Sequence, residues 1–287
     1  MKVIPYTAFA LFAFAFNSLL CRMALGENEI DAASFTGVRL ASGAVTLAII
    51  TAVFAKNRRF VYSGNWLSAF FLFAYAICFS FAYVSLTASA GALILFGAVQ
   101  FTMITVALIR GESLRPIDWA GILLAFSGFI YLVLPGLDSP PLVGAALMAA
   151  AGAAWGFYTL RGKGSKNPLA ETAGNFVLAV PMMAVISVPF LCYLNISIRG
   201  AILASISGAV ASGIGYAVWY AALSYHTAAR AAILQLAVPV IASFGGVIWL
   251  NEKATAELVT ASALILGGIA LTNIRKNSRL AVIDKEP

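Results

Sequence analysis

Ten apolar runs occupy most of the chain, and they constrain its fold more than any motif does. A helix needs about 20 consecutive apolar residues to cross a bilayer, and inside hydrocarbon it must satisfy its own backbone hydrogen bonds. The runs are Ile4–Ala24, Ser34–Ala55, Asn65–Leu86, Ser89–Ile109, Pro116–Leu134, Leu142–Leu160, Ala170–Tyr193, Ile202–Leu223, Ala229–Leu250 and Glu257–Ile274. The pattern therefore predicts an all-α, polytopic membrane protein with ten transmembrane helices.

The composition excludes a water-soluble domain. Of the 287 residues, 62% are hydrophobic and 10% are charged, whereas soluble domains are about 45–50% apolar and about 25% charged. The net charge of +7 does not favour a nucleic-acid partner, because the basic residues are spread over the connections between runs. We expect the first run to be a retained helix, since Leu20 stands where a lipoprotein signal needs a small residue before Cys21.

The chain also repeats itself at an offset of 140 residues, since 227 − 87, 252 − 112 and 268 − 128 all equal 140. The repeated residues are Thr87-Ala88 with Thr227-Ala228, Ala92 with Ala232, Glu112 with Glu252, and Gly128 with Gly268. This internal duplication divides the chain into a first repeat, 1–136, a second repeat, 137–276, and a tail, 277–287. Five runs per half is an odd number, so we expect the two repeats to have opposite orientations in the membrane, with a site between them.

Basic residues in the connections set the expected orientation. With the N-terminus inside, most of the lysines and arginines fall on the inner side, and Arg22, Arg199 and Lys253 are the outer ones. Cytoplasmic connections carry the excess of basic residues in membrane proteins. We therefore expect both termini, and the 277–287 tail, to be cytoplasmic.

Acidic residues are confined to the connections and the ends of the apolar runs, which limits the chemistry available in the membrane. A buried carboxylate is the usual proton relay and the usual partner of a cationic drug, so we expect neither carboxylate-based proton coupling nor export of lipophilic cations. Cys21, Cys78 and Cys192 lie far apart without a C-x-x-C pair. No metal site and no cofactor is expected, and a single disulfide remains open.

Neutral polar and aromatic side chains inside the runs are the candidates for a solute site. Ring faces and a few amides suit a small, partly apolar solute; the alternative is that the rings, Phe16 among them, face lipid or fill the core. The residues that we assign to substrate binding are Asn17, Phe79, Tyr83, Gln100, Trp155, Tyr158, Trp219, Tyr220 and Gln235.

Three further residues are candidates for gating or pH sensing. Arg39 lies within a run, either to contact an anionic group or to snorkel to the outer headgroups. His226 titrates near neutral pH or is simply a solvated loop residue. Pro239 falls inside the ninth run, where its equivalent is Val99, and it should kink that helix.

These residues resemble a known repeat. The string Ala222-Leu223-Ser224-Tyr225-His226-Thr227-Ala228-Ala229, then Pro239 and Asn251-Glu252, resembles the EamA repeat of the drug/metabolite transporter superfamily, as do Trp155-Gly156, Arg161 and Gly111-Glu112. The departures are Val99 for proline, Phe16-Asn17 for Trp-Gly and Asn251 for glycine. Within that superfamily, the chain is most similar to the YddG-type exporters of aromatic amino acids.

The resemblance implies two inverted five-helix repeats around a central cavity, lined mainly by helices 1, 3, 4, 6, 8 and 9, in a bacterial inner membrane. We expect an exporter of amino acids and related small metabolites that works by alternating access and is not an enzyme. Its partners would be the solute and membrane lipid, and it would be a monomer or weak homo-oligomer.

Two other functions stay open at this point. A transporter of a nucleotide sugar or phosphorylated metabolite needs basic groups in its cavity, and the runs supply almost none. A membrane-embedded lipid-modifying enzyme needs acids or histidines clustered at the membrane interface, and one histidine with scattered acids argues against it.

Overall fold

The computed structural model describes residues 3–54, 63–111, 114–133, 141–253 and 256–273, and this part of the chain is helical. The helices are α1 (Val3–Gly26), α2 (Ala32–Phe54), α3 (Trp66–Tyr83), α4 (Ala88–Ile109), α5 (Pro116–Val133), α6 (Leu142–Gly162), α7 (Pro168–Ser187), α8 (Ile198–Ile206), α9 (Gly215–Leu223), α10 (Ala228–Gln235), α11 (Ala237–Trp249) and α12 (Ala256–Asn273). A 3-10 turn, Val188–Tyr193, extends α7, and a π-helical segment, Ser207–Ile214, joins α8 to α9.

Eight segments of the described chain are long and apolar enough to cross a membrane, so the protein is a multi-pass membrane protein. They are Val3–Gly26, Ala32–Val53, Trp66–Tyr83, Ala88–Ile109, Leu142–Gly162, Pro168–Tyr193, Ile198–Leu223 and Arg230–Trp249. The only pairing of extended backbone among the described residues is an isolated antiparallel bridge between Ile30 and Ile196.

The repeated Thr-Ala dipeptide begins a helix in each half. Thr87 and Thr227 have the same extended backbone conformation, and each hydroxyl accepts a hydrogen bond from the backbone N–H three residues on, at 3.1 Å and 3.2 Å. An N-cap of this kind satisfies one of the free N–H groups at the start of a helix and contributes about 1 kcal/mol. The repeat in sequence is therefore a repeat in local structure.

The helices pack closely where glycine removes a side chain. α6 packs on α3 and α4, α2 packs on α7 and on the π-helical segment, and α5 packs on α12. At Gly152 a Cβ atom would overlap the carbonyl oxygen of Leu95, and at Gly208 it would overlap the carbonyl oxygen of Arg39. In lipid such close approach replaces the hydrophobic effect as the source of helix association.

The ninth run is broken, as the sequence predicts. Pro239 has no N–H to donate to the carbonyl of Gln235, four residues before it, and α10 ends at Gln235 while α11 begins at Ala237. α4, which has Val99 at the equivalent position, continues unbroken from Ala88 to Ile109. The two halves therefore differ in backbone at this position because of one missing donor.

The acidic turn after α11 connects the two halves. Asn251 has a φ of 52°, and Gly111, its equivalent, has a φ of 81°; asparagine and glycine are the residues that adopt this left-handed conformation most readily. The turn brings the carboxylate of Glu252 to the N-terminus of α4, where it accepts hydrogen bonds from Ala88 N at 2.7 Å and Ser89 Oγ at 2.6 Å. Its equivalent, Glu112, lies outside the described residues.

Candidate functional site

Arg39 lies at the centre of the helix bundle, with 1% of its surface exposed. Its Nε donates to Ser212 Oγ at 2.9 Å, and its Nη2 donates to the hydroxyls of Tyr216 at 2.7 Å and Tyr75 at 3.1 Å. The prediction that Arg39 snorkels to the headgroups is wrong. α2 packs its Arg39 backbone directly on Gly208, and the side chain is enclosed by α3 and by the segment from Ser212 to Tyr216.

The Arg39 guanidinium is held by hydroxyls and ring faces. Its Cζ lies 5.1 Å from the ring centroid of Tyr75 and 5.0 Å from that of Phe79, within the range of cation–π attraction. Among the described residues, no carboxylate forms an ion pair with it, and its Nη1 has no hydrogen-bond partner. Moving a charge out of water costs several kcal/mol, and neutral partners offset only part of that cost.

A cluster of aromatic rings surrounds the Arg39 site. Trp155 lies 4.6 Å from Tyr216, 5.1 Å from Tyr75 and 5.3 Å from Phe14, measured between ring centroids. Together with Phe79, Leu95 and Phe96 these rings enclose a central cavity. We refer to this space as the central cavity, and three of its lining residues (Tyr75, Phe79 and Tyr216) also contact Arg39.

The central cavity is closed. Its volume is about 10 Å³, which is room for at most about one water molecule. The resemblance led us to expect a solute-sized central cavity, and the structure differs because rings from four helices fill it. Phe14 of α1 packs edge to face on Trp155, Tyr216 and Trp219, and tilted ring contacts join Trp155 to Tyr216 and Tyr75. Any solute larger than water needs these rings to separate.

The predicted substrate-binding residues all lie in the interior, and the aromatic ones join this cluster. Phe79 lies 4.7 Å from Tyr83, Trp155 lies 5.7 Å from Tyr158, and Tyr158 lies 5.4 Å from Tyr220, while Trp219 packs on Phe14 at 5.6 Å. The residues that we did not assign in advance are Phe14, Phe96, Tyr75 and Tyr216. Phe14 had a usable signal, since it lies three residues before Asn17 on one helix face, whereas Phe16 is 39% exposed.

The three predicted amides have different surroundings. Gln235 accepts a hydrogen bond from Trp155 Nε1 at 2.8 Å and donates to the carbonyl of Ala231 at 3.3 Å. Asn17 donates to the Tyr75 hydroxyl at 3.3 Å and accepts from Ser207 Oγ at 2.6 Å. Gln100 is buried, and neither atom of its amide has a partner within the described structure.

His226 is buried and not solvated. It follows α9, and its Nε2 lies 3.2 Å from the hydroxyl of Thr7 in α1. The interpretation of His226 as a solvated loop residue is therefore wrong, because the start of α1 covers it. His226 lies at one end of the bundle, away from the Arg39 site.

Polar contacts close both ends of the bundle. At one end, which we call the 27–31 clamp, Arg199 pairs with Glu27 and Glu29, and Ser197 Oγ donates to Glu29. The Ser197 hydrogen bond and the Arg199 guanidinium lower the pKa of Glu29 below its usual value.

At the other end, which we call the 65–68 clamp, Arg161 donates to Asn65 Oδ1 at 2.9 Å and to Ser68 Oγ at 3.0 Å.

A larger groove lies elsewhere. It has a volume of about 440 Å³ and lies on the outer surface between α1, the π-helical segment and α11. Aliphatic and aromatic residues line it, with Phe12, Phe244 and Ile248 strongly exposed. A groove without charged or amide groups does not suit a polar solute, so the closed central cavity remains the candidate site.

The Trp155–Gln235 hydrogen bond should stabilise the closed state. Trp155→Phe removes the donor and leaves the Gln235 oxygen buried without it, so we expect a loss of about 1–3 kcal/mol, seen as a lower thermal unfolding midpoint in detergent. Trp66→Phe is the matched control, because Trp66 is 61% exposed. In the double variant with Gln235→Leu the two losses should not add; simple additivity, or equal shifts for Trp155→Phe and Trp66→Phe, would contradict this role.

Comparisons with known proteins agree on one family. A protein of Pseudomonas aeruginosa without an assigned function is 48% identical over 270 residues, covering 94% of each chain. An uncharacterized transporter of Archaeoglobus fulgidus is 30% identical over 73% of this chain and 76% of its own length. The threonine/homoserine exporter RhtA of Escherichia coli is 27% identical over 65% of each chain.

A solved crystal structure has the same fold at 18% identity, with a TM-score of 0.74 over 94% of this chain and 98% of that one. The profile of the EamA-like transporter family matches residues 1–134 and again 142–274. Members of this family are transporters and not enzymes. The chain therefore belongs to the EamA-like transporter family, with one family match in each half.

Proposed function

We propose that this protein exports amino acids, neutral or aromatic ones first, and related small metabolites across a bacterial inner membrane. The observation that carries the proposal is the ring-lined central cavity, which has a single cation and two hydrogen-bonded amides beside it. Rings and a few placed polar groups suit a small solute with one apolar side and one polar end. Similarity to an exporter of threonine and homoserine supports amino acids as the class, and the likeness to YddG-type exporters supports aromatic ones.

The proposal includes ten membrane crossings in two inverted repeats, 1–136 and 137–276. Support comes from which helix ends meet. The start of α1 meets the turn after α9 through Thr7 and His226, whereas the start of α6 meets the turn after α3, where Gly144 packs on Ser85 and Leu86. Since α1 and α6 are equivalent at the 140-residue offset, their starts at opposite ends of the bundle support antiparallel halves.

The contacts of the last helix in each half support the same symmetry. Gly128 in α5 packs on the carbonyl of Ala261 in α12, and Gly268 in α12 packs on the carbonyl of Gly121 in α5. Gly128 and Gly268 are a repeated pair in the sequence. Each glycine therefore lets the equivalent helix of the other half approach closely, which is what a two-fold axis between the halves would produce.

Charge supports an inside location for the N-terminus. The end of the bundle that holds the 65–68 clamp carries Arg161, Lys163 and Lys166, while the end with the 27–31 clamp carries Glu27, Glu29 and Asp31 beside Arg199. Positive connections favour the cytoplasm. We therefore assign the 65–68 clamp to the cytoplasmic side and the 27–31 clamp to the outer side.

The two clamps would open one at a time, as alternating access requires. With the central cavity closed, the structure corresponds to a state without room for solute, and release of either clamp would open one side only. The 27–31 clamp joins the α1–α2 connection to the start of α8, and the 65–68 clamp joins the start of α3 to the end of α6. Opening of the 65–68 clamp would admit solute from the cytoplasm, and opening of the 27–31 clamp would release it.

Transport should be downhill or weakly coupled. In the described helices, acidic residues lie only in first turns, as Asp118 and Glu171 do, so no carboxylate beside the central cavity is available as a proton relay. An arginine stays protonated at physiological pH, so the Arg39 guanidinium does not serve as a proton relay either.

A nucleotide sugar or phosphorylated metabolite is the second candidate, and one observation favours it. Such solutes need a basic group in the cavity, and Arg39 is one. A single guanidinium matches one negative charge, whereas a phosphate ester near pH 7 carries about 1.5 to 2 negative charges. The candidate therefore predicts a second cation, and the residues that enclose the central cavity include none.

Counterflow in proteoliposomes tests the function. Vesicles loaded with unlabelled L-phenylalanine or L-threonine should accumulate the labelled amino acid faster than protein-free vesicles, with the solute recovered chemically unchanged. Trp155→Ala and Trp219→Ala should slow this flux, and Trp66→Ala should not. Dissipating the pH gradient should leave the rate unchanged, whereas its abolition would refute downhill transport; no amino-acid counterflow with active phosphorylated solutes would support the second candidate.

A reversible crosslink tests alternating access. In a variant with Cys21, Cys78 and Cys192 replaced by serine, Ile30→Cys and Ile196→Cys place two thiols at the antiparallel bridge, where side chains are about 5 Å apart. Oxidation should lock the 27–31 clamp and stop counterflow, and dithiothreitol should restore it. Each single-cysteine variant is the control and should be insensitive to oxidant. Full activity with the crosslink complete would show that this clamp does not open during transport.

A further inference from the structure

We infer that Arg39 binds the carboxylate of the transported solute, and that the site recognises the carboxylate without recognising the α-amino group. The inference rests on the proposed transport function and specifies its substrate class: monocarboxylates with a compact apolar part, whether or not they carry an amine. The evidence is the state of the Arg39 guanidinium and the charges around the central cavity.

The first step is the missing counter-ion. Arg39 is buried, and within the described helices its partners are Ser212, Tyr75 and Tyr216, all neutral. A buried cation without an anion is costly, so a solute that brings one negative charge gains more here than at an exposed arginine. A structural arginine of this kind would be better stabilised by a carboxylate of its own, and the described part of the bundle interior supplies none.

The second step is the geometry of the free donor. Within the described structure Nη1 has no partner, while Nη2 donates to two phenol hydroxyls that can rotate. A carboxylate binds the planar guanidinium through two parallel N–H···O bonds. The solute carboxylate would accept a hydrogen bond from Nη1 and a second one from Nη2, which also donates to Tyr75 and Tyr216. The two tyrosine hydroxyls lie 3.2 Å apart and can donate to the carboxylate oxygens.

The third step places the rest of the solute. Tyr75, Phe79 and Tyr216 contact Arg39 and also line the central cavity with Phe14, Phe96 and Trp155. A solute held by its carboxylate at Arg39 would therefore extend its apolar part between these rings, once the rings separate. The arrangement sets the carboxylate at one side of the cavity and the side chain at the other.

The fourth step concerns the amine. An ammonium group is bound in proteins by carboxylates, by carbonyl oxygens or by ring faces. The described lining of the central cavity holds no carboxylate, and the amide oxygens of Asn17 and Gln235 beside it already accept hydrogen bonds from Ser207 and Trp155, which leaves the ring faces. Binding to a ring face contributes about 0.5–2 kcal/mol, less than the charge-assisted pair at Arg39. Removing the amine from the solute should therefore change binding little, and removing the carboxylate charge should weaken binding about tenfold or more.

The test compares solutes on the unmodified protein. In the counterflow assay with labelled L-phenylalanine, 3-phenylpropionate should compete within a few-fold of unlabelled phenylalanine, and phenylalaninamide should compete about tenfold or more weakly, because a hydrogen bond to a charged group contributes about 1.5–3 kcal/mol. Strong competition by the amide, or none by 3-phenylpropionate, would overturn the inference while leaving transport established. Absence of any phenylalanine or threonine flux would instead overturn the proposed function.

Variants assign the recognition to Arg39 itself. Arg39→Gln should lose the preference for 3-phenylpropionate over phenylalaninamide, and Arg39→Lys should keep the preference with weaker binding, since lysine keeps the charge but cannot bind in a bidentate manner. Arg22→Gln is the matched control, because Arg22 donates only to backbone carbonyls at the end of α3. If Arg39→Gln does not fold, the Arg39→Lys variant and the solute series on the unmodified protein test the assignment. An unchanged preference for 3-phenylpropionate over phenylalaninamide in folded Arg39→Gln would contradict it.

Discussion

The burial of one cation organises the interior of this transporter. A guanidinium in the middle of a helix bundle must exchange its water for hydrogen-bond acceptors held in place, and Arg39 obtains them from α3 and from the segment that runs through the π-helix into α9. Three elements that are far apart in the sequence are thereby fixed around one side chain. In the described structure one nitrogen of the same side chain has no partner, which is why we infer that a solute completes the interaction that holds the closed structure.

The π-helical segment is what brings Ser212 and Tyr216 to the guanidinium. It begins at Ser207, where it packs on Asn17 through a hydrogen bond of 2.6 Å, and Gly208 lets it lie directly on the backbone of α2. A π-helical turn re-aims the side chains that follow it, and such turns occur often at functional sites. The equivalent helix of the first half, α3, is regular over Trp66–Tyr83, so the halves share a plan but not every backbone detail.

Much of the fold follows from the sequence because its causes are local. Apolar run length predicts the helices, Thr87 and Thr227 mark helix starts through their own hydroxyls, and Pro239 breaks the ninth run by a missing donor. The burial of Arg39 and His226 could not be read in this way. Arg39 lies only a turn or two from the end of its run, and its direction depends on Gly208, 169 positions later in the chain, while His226 is covered by Thr7 from the other half.

Which residues belong to the candidate site could be predicted from the sequence, but the shape of the site could not. Apolar runs identify Trp155, Phe79 and Trp219 as interior rings, but whether rings enclose a solute-sized space depends on how the rings of four helices pack, which no spacing in the sequence encodes. Phe14 and Phe16 illustrate the limit: they are two residues apart in one helix, and one packs on Trp155 while the other faces outward.

The central claim is that the two halves are inverted about the site they enclose, and side-specific labelling measures this directly. Glu27 and Asn167 are equivalent at the 140-residue offset, and both are exposed at turns. In a cysteine-free variant within right-side-out vesicles, a membrane-impermeant maleimide should label Glu27→Cys at once and Asn167→Cys only after permeabilisation. Labelling of both positions from the same side would contradict the inverted repeat and the account built on it.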